Sequence, residues 1–119
     1  MKVNLHNVKG RIIKDNETYK LEDNYFLNNL VLSRTTLKPG QMTNGHSHND
    51  EEEVYIFTSG MCLIQIGDDY YHAEKDDTFL IPAGKFHRVF NKSEGTVASF
   101  TCIFQKYDRN GNNAIYKNS

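Results

Sequence analysis

The chain has 119 residues and a formal net charge of -1, with 14 Lys and Arg residues against 15 Asp and Glu residues. This length fits a single domain over residues 1–119. The near-neutral charge and the scattered basic residues give no indication of a nucleic-acid partner or an anionic membrane surface. The N-terminus lacks the apolar stretch of a signal peptide, and no segment approaches membrane-spanning length, so we expect a cytoplasmic protein.

Short runs rich in Val, Ile, Phe, Tyr and Thr predict β-strands along the whole chain. The predicted strands are 10–14, 26–37, 53–58, 61–66, 69–74, 78–82, 86–91 and 96–106. Segment 15–25 is the only weak helix candidate, with a loop as the alternative. The polar tail 107–119 is expected to be peripheral, as a hairpin-like turn or a frayed end. Many short strands at regular spacing favour an all-β sandwich or closed barrel.

Several polar and reactive side chains have a simple structural interpretation. Cys62 and Cys102 lie in apolar runs, which predicts two buried free thiols. His6 and His72 are expected at the surface. The acidic run from Asp50 to Glu52 is most simply a solvated turn.

A possible metal site begins at His46 and His48. In an extended chain this spacing places both imidazoles on one face, where they can chelate a metal. Glu51, Glu52 and Glu53 follow at once and offer a carboxylate, but strand alternation alone does not decide between Glu52 and Glu53. His87 comes just after a Pro-x-Gly turn, which can aim its strand back across a barrel.

The spacing of these residues resembles the two sequence motifs of the cupin family. The first motif is matched by Gly40, the His46-Ser47-His48 triplet, Glu53 and Gly60, and its six-residue gap before Gly60 selects Glu53 as the ligand. The second motif is matched by the Pro82-Ala83-Gly84 turn, His87 and Asn91. Its leading glycine is replaced by Asp76, and because Asp tolerates left-handed backbone conformations, we expect the turn to persist.

The resemblance implies a double-stranded β-helix, or jelly-roll, barrel with its motif core at residues 40–91. It also implies one divalent transition metal held by three histidines and one carboxylate. The predicted ligands are His46, His48, Glu53 and His87. Such a mixed nitrogen and oxygen set suits Fe, Mn, Ni, Co or Zn.

The segment around the first motif is also similar to cupin-type sugar-phosphate isomerases. This similarity favours a metal-dependent isomerase or epimerase of a small sugar-like or hydroxycarbonyl substrate, with Glu52, Tyr55 or a metal-bound hydroxide moving the proton. The alternatives are a non-haem metal-dependent dioxygenase and a non-catalytic module that binds a small ligand such as a sugar. Exposed strand edges of a small barrel further predict a homodimer.

Overall fold

The computed structural model describes residues 1–47 and 51–106, and this part of the chain contains nine β-strands and no helix. The strands are β1 (Arg11–Asp15), β2 (Tyr19–Asn24), β3 (Leu30–Leu37), β4 (Glu53–Ser59), β5 (Cys62–Ile66), β6 (Asp69–Ala73), β7 (Thr78–Ile81), β8 (His87–Asn91) and β9 (Ala98–Gln105). The predicted all-β class is therefore confirmed. The predicted tail 107–119 and the ligand His48 lie outside the described residues.

The strands form two antiparallel sheets that enclose the core. The larger sheet has the order β1-β2-β3-β9-β4-β7, and the smaller sheet has the order β6-β5-β8. Two isolated bridges, Met42 to Phe90 and His46 to His87, add segment 42–46 to the free side of β8. Neighbours in the order are often distant in sequence, as expected for the jelly-roll double-stranded β-helix, and the predicted fold is confirmed.

The apolar core lies between the two sheets and has an aromatic centre. Phe57 of β4 and Phe100 of β9 are fully buried, with ring centroids 5.2 Å apart. Ile64 and Val89 close the core from the smaller sheet. Cys62 and Cys102 are both buried and free, as predicted.

Strand β2 corrects the sequence prediction, because segment 15–25 contains neither a helix nor a continuous loop. Tyr19, Leu21 and Asp23 are buried and alternate with Lys20 and Glu22, which are partly exposed. This period-two pattern is that of a strand with one buried face. Because Asp23 is a charged residue at a buried position, the alternation of apolar and polar residues is not apparent in the sequence. The next strand also begins later than predicted, at Leu30 rather than at residue 26.

The turn at Asp76 confirms the expectation drawn from the second motif. Asp76 has φ = 75°, the left-handed conformation that glycine adopts most readily. Its backbone N–H donates to the carbonyl oxygen of Phe57 at 2.8 Å. This bond holds the turn before β7 against the core strand β4.

Asn91, the last residue of the second motif, is fully buried and joins three chain segments. Its side-chain nitrogen lies 3.1, 3.2 and 2.9 Å from the carbonyl oxygens of Leu37, Lys38 and Thr96. Its side-chain oxygen accepts the N–H of Ser93 at 3.0 Å. The amide therefore fixes the end of β3 and the turn between β8 and β9 to the end of β8.

Within residues 1–47 and 51–106, no helix is long and apolar enough to cross a membrane.

Candidate metal centre

Three side chains from distant parts of the chain meet at one end of the barrel interior. The ligand atoms of His46, Glu53 and His87 all lie within 4.8 Å of one another. Oε2 of Glu53 is 2.7 Å from Nε2 of His87 and 3.6 Å from Nε2 of His46. Glu53 and His87 are buried, and the side chain of His46 is 14% exposed. Among the three side chains, His46 is the most exposed.

Strand geometry places two of these ligands inside the barrel. Glu53 is the first residue of β4 and shares its buried face with Tyr55 and Phe57. His87 is the first residue of β8 and shares its buried face with Val89 and Asn91. Since alternate residues of a strand point to one face, both ligands are held at the ends of strands that carry the core.

A pair of backbone hydrogen bonds brings the third ligand to the other two. The N–H of His46 donates to the carbonyl oxygen of His87 at 3.1 Å, and the N–H of His87 donates back at 2.9 Å. This pairing holds the two imidazole centroids 4.3 Å apart. His46 is therefore positioned by strand-like pairing, although it lies outside the regular strands.

The hydrogen bonds of both imidazoles suit metal binding. Nδ1 of His87 is 2.9 Å from the carbonyl oxygen of Lys85, and Nδ1 of His46 is 3.3 Å from that of Asn44. A carbonyl oxygen can only accept, so in these contacts Nδ1 carries the proton. Nε2 is the atom that faces Glu53, to which it donates in the metal-free protein, and it would offer its lone pair to a metal after losing that proton. Metal-binding histidines are commonly oriented in this way. The donor set therefore fits a divalent metal.

Gly45 and Phe86, the residues before the two histidines, are in direct contact. A Cβ atom on Gly45 would lie 1.9 Å from Cζ and 2.3 Å from Cε1 of Phe86. The Phe86 ring thus occupies the space that any larger residue would need at position 45. The guanidinium of Arg88 lies over the same ring, 5.7 Å from its centroid. This packing fixes the position of segment 42–46 beside β8.

The charge state of Glu53 is set by its two histidine neighbours. Burial raises the pKa of the Glu53 carboxyl, but hydrogen bonds and positive charge from His46 and His87 outweigh burial and lower the pKa to about 2. Glu53 is consequently an ionised carboxylate at neutral pH. It is in the protonation state that a metal ligand requires.

The three glutamates after His48 differ in where they lie. Glu51 and Glu53 are 6% and 3% exposed, whereas Glu52 between them is exposed. Strand alternation explains why the structure does not bring Glu52, a predicted catalytic residue, into the cluster. The burial of Glu51 corrects the prediction of a solvated acidic turn. The sequence signal for it is the two-residue spacing from Glu53, which puts both side chains on one face of an extended chain.

Tyr55, the other predicted catalytic residue, lies inside the barrel beside the cluster. Its ring meets that of His87 edge-on at 5.5 Å and stacks on Phe100 at 5.4 Å. Burial, with smaller effects from Cys102 and Glu53, raises the pKa of Tyr55 well above its ordinary value. The phenol is therefore neutral at physiological pH and can donate a hydrogen bond.

A small cavity opens beside the cluster, between the sheets. It leaves about 20 Å³ for the centres of water-sized groups, which is room for one or two of them. The wall combines the ligands with aromatic, aliphatic and hydroxyl side chains. It consists of Tyr19, Leu21, Ser33, Thr35, Thr43, His46, Glu53, Tyr55, Phe100, Cys102 and Phe104.

Comparisons with known proteins support the architecture. The sequence pattern of the cupin domain matches residues 33–104, which span every described residue of the cluster. No curated protein sequence is significantly similar to the chain.

Several solved structures share the fold at low sequence identity. KdgF from Halomonas sp. is 10% identical with a TM-score of 0.74, covering 91% of this chain and 96% of its own. The TT1209 protein from Thermus thermophilus is 21% identical with a TM-score of 0.73, covering 88% and 97%. An RmlC-like cupin from Shewanella frigidimarina is 14% identical with a TM-score of 0.72, covering 85% and 87%. At these identities the likeness concerns the fold alone.

Proposed function

The chain belongs to the cupin family, and from this premise we propose that it is a metal-dependent isomerase or epimerase of a small sugar-like hydroxycarbonyl compound. One observation carries the proposal. His46 and Glu53 of the cluster line a small, partly open cavity whose wall also includes Ser33 and Thr35. A ligand with several oxygen atoms suits such a cavity better than a purely apolar one.

The three clustered side chains would hold the metal, with His48 as the fourth predicted ligand outside the described residues. A divalent metal at this position supplies a Lewis acid that polarises a carbonyl oxygen. The chain itself contributes an ionised Glu53 and two imidazoles oriented through their Nδ1 hydrogen bonds.

Of the two predicted proton-transfer residues, Tyr55 is the one that lines the cavity. We assign to it the donation of a hydrogen bond to the substrate oxygen. Glu52 is exposed on the outer side and has no part in this proposal. The base that removes a proton from carbon would come from the same end of the barrel, where Glu51 is also buried.

Proton exchange tests the proposal directly. The metal-loaded protein is incubated without oxygen in deuterated water with hydroxycarbonyl compounds of two to four carbons. We expect deuterium at the carbon next to the carbonyl, seen by NMR, and slower exchange for Tyr55→Phe. Tyr71→Phe, which alters an exposed tyrosine of β6, is the matched control. Absence of exchange with every metal and compound would refute the isomerase proposal.

A dioxygenase is the second candidate, and the aromatic part of the cavity favours it. Tyr55, Phe100 and Phe104 line the side next to the cluster and would suit an aromatic ring. The deciding measurement is oxygen consumption by the Fe(II)-loaded protein with catechol-like compounds. Stoichiometric uptake with ring cleavage would replace the isomerase proposal by this one.

We also propose that the chain forms a homodimer through the outer face of the larger sheet. Leu32, Ile103, Val54 and Leu80 are direct neighbours across four strands on that face, and Leu80 is 73% exposed. A second copy can cover this row symmetrically. Light scattering should give a dimer mass for the wild type and a monomer mass for Leu80→Glu. A monomeric wild type at micromolar concentrations would refute the proposal.

A further inference from the structure

An apolar depression lies on the surface between the N-terminal segment and the turn that joins β2 to β3, and we call it the hairpin groove. Its apolar lining consists of Met1, Val3, Phe26, Leu27, Leu30 and Leu32. Phe26, Leu27 and Leu30 are 64%, 55% and 45% exposed. The groove leaves about 160 Å³ for the centres of water-sized groups. A contiguous set of exposed apolar side chains around one depression is typical of a binding surface.

Hydrogen bonds fix both walls of the hairpin groove. The side-chain amide of Asn24 donates to the carbonyl oxygen of Val8 at 2.7 Å. The hydroxyl of Thr101 donates to the carbonyl oxygen of Leu5 at 2.9 Å. Val8 is fully buried, so the N-terminal wall is anchored in the molecule. On the other wall, the N–H of Phe26 donates to Oδ1 of Asn24 at 2.8 Å. The groove is therefore preformed, as binding sites usually are.

Strand β9 ends beside the hairpin groove. Its last residue, Gln105, pairs with Leu30. The N–H of Lys106 then donates to the carbonyl oxygen of Asn29 at 2.7 Å. Residues 107–119 follow and lie outside the described residues. Nine residues of extended chain span at most about 30 Å, so residue 115 can reach the groove, which begins at Leu30. The groove therefore has a potential occupant within the same chain.

The sequence after β9 predicts a chain reversal followed by three apolar residues. Asn110-Gly111 is a residue pair that strongly favours a two-residue turn between extended segments. In such a hairpin residue 109 faces residue 112, so residues 115 and 116 would face residues 106 and 105. Because β9 already pairs with β3 and β4 on its two sides, the returning segment would lie over a face of the sheet. This geometry brings segment 114–116, which reads Ala-Ile-Tyr, to the level of Leu30.

We propose that segment 114–116 of the same chain binds in the hairpin groove and covers its exposed apolar side chains with Ile115 and Tyr116. A tyrosine suits this surface, because its ring is apolar and its hydroxyl can bind a polar group at the rim, such as Asn24. Leu80 of the proposed dimer face lies three strands away from Leu32, so the segment leaves that side of the sheet free. This interaction is independent of the proposed catalytic function.

A nitroxide label beside the segment tests where it binds. Asn113→Cys introduces one accessible thiol, because the native thiols of Cys62 and Cys102 are buried. The full chain is labelled with ¹⁵N and with the nitroxide, and its amide NMR signals are recorded before and after reduction of the label. We expect the amide signals of residues 26–30 to be lost through paramagnetic broadening and to return on reduction. Signals of residues 26–30 that persist beside the active label would overturn the proposal.

Two controls separate the same chain from a second copy as the occupant. Lys75→Cys carries the label on an exposed turn after β6, at the end of the barrel where Asn91 binds Leu37. The hairpin groove lies at the opposite end of β3, so this label should leave the signals of residues 26–30 unchanged. In a mixture of nitroxide-labelled chains without ¹⁵N and ¹⁵N chains without nitroxide, we expect no broadening. Broadening of residues 26–30 in this mixture would assign the groove to a second copy and overturn the proposal.

Thermal unfolding tests the contact from both sides. Tyr116→Ser should lower Tm by about 3 °C, because it removes an apolar ring from the groove. Lys117→Ser, a polar neighbour in the same segment, is the matched control and should change Tm by less than about 1 °C. Leu27→Ser alters the groove itself at a side chain that is already exposed. The double variant Leu27→Ser with Tyr116→Ser should lose less than the sum of the single losses, and additive losses would contradict a contact between the two side chains.

Discussion

The two sides of the candidate metal centre are positioned by different kinds of contact. Glu53 and His87 open strands β4 and β8, are almost fully buried, and are held by the ladders of two sheets. His46 lies outside the regular strands and depends on one bridge to His87 and on the packing of Gly45 against Phe86. We call Glu53 and His87 the scaffold side, because they belong to the strands of the barrel, and His46 the attached side, because it is held by contacts outside the regular strands. We expect substitutions to affect the two sides differently.

Removal of a ligand from the scaffold side should have the largest effect. His87→Ala deletes an imidazole that contacts Glu53, and we expect metal content to fall from about one ion per chain to below about 0.1. Elemental analysis after purification without chelators measures this change. His72→Ala is the control, since His72 is exposed on β6. The same loss is expected for His48→Ala, and full occupancy in these variants would contradict the ligand assignment.

The choice between neighbouring glutamates tests the scaffold side more finely. Glu53→Gln should weaken metal binding by about 100-fold, because an amide replaces the only carboxylate among the described ligands. Glu52→Gln should change the affinity by less than about 2-fold, since its side chain is exposed on the other face. Competition titration with a chromogenic chelator gives both values. Equal behaviour of the two variants would exclude Glu53 as the ligand.

On the attached side, a change in packing around His46 should lower metal affinity even when the His46 side chain is retained. Gly45→Ala puts a Cβ into the Phe86 ring, so we expect the segment that carries His46 to shift and metal affinity to fall about 10-fold. The double variant Gly45→Ala with Phe86→Leu should recover part of this loss, because the smaller side chain leaves space. Gly95→Ala is the control, since a Cβ there meets no atom within 4 Å. Equal affinities for all these variants would show that the contact does not position His46.

The charge on Glu53 should be visible in the stability of the metal-free protein. Its pKa is lowered from 4.5 to about 2, so the ionised form stabilises the fold above about pH 4.5, and this contribution is lost as the pH falls towards 2. The contribution is at most about 3 kcal/mol. Urea unfolding at pH 5 and pH 3 should therefore show a larger decrease for the wild type than for Glu53→Gln. A parallel decrease in both proteins would contradict the lowered pKa.

The positions of Glu53 and His87 in the fold can be predicted from the sequence, because the features that determine them involve residues close together in the chain. Pro82, Gly84 and His87 stand at fixed spacing on a turn and a strand, and the gap from Glu53 to Gly60 determined which glutamate points inward. Asp76 was recognised as a substitute for glycine because few other residues tolerate φ = 75°. Such features depend on a few neighbouring residues and on the period of a strand.

The remaining features depend on tertiary contacts that no local pattern encodes. Asp23 interrupts the apolar alternation of β2, so the sequence alone does not identify this strand, whereas its pairing with β3 defines it. The burial of Glu51 depends on the barrel end that surrounds it. The contact of Phe86 with Gly45 joins residues 41 positions apart, and only the folded chain reveals it.

Asn91 gives the second motif a meaning beyond its ligand. Its side chain contacts no member of the metal cluster in any described hydrogen bond, yet it fastens segments that lie more than 50 residues apart in sequence. Contacts of such long range close large loops of the chain, and their hydrogen bonds offset part of the conformational entropy that this closure costs. The motif therefore combines a candidate metal ligand, His87, with a residue that closes the barrel, Asn91. Asn91 thus belongs to the part of the motif that maintains the barrel, and His87 to the part that forms the candidate metal centre.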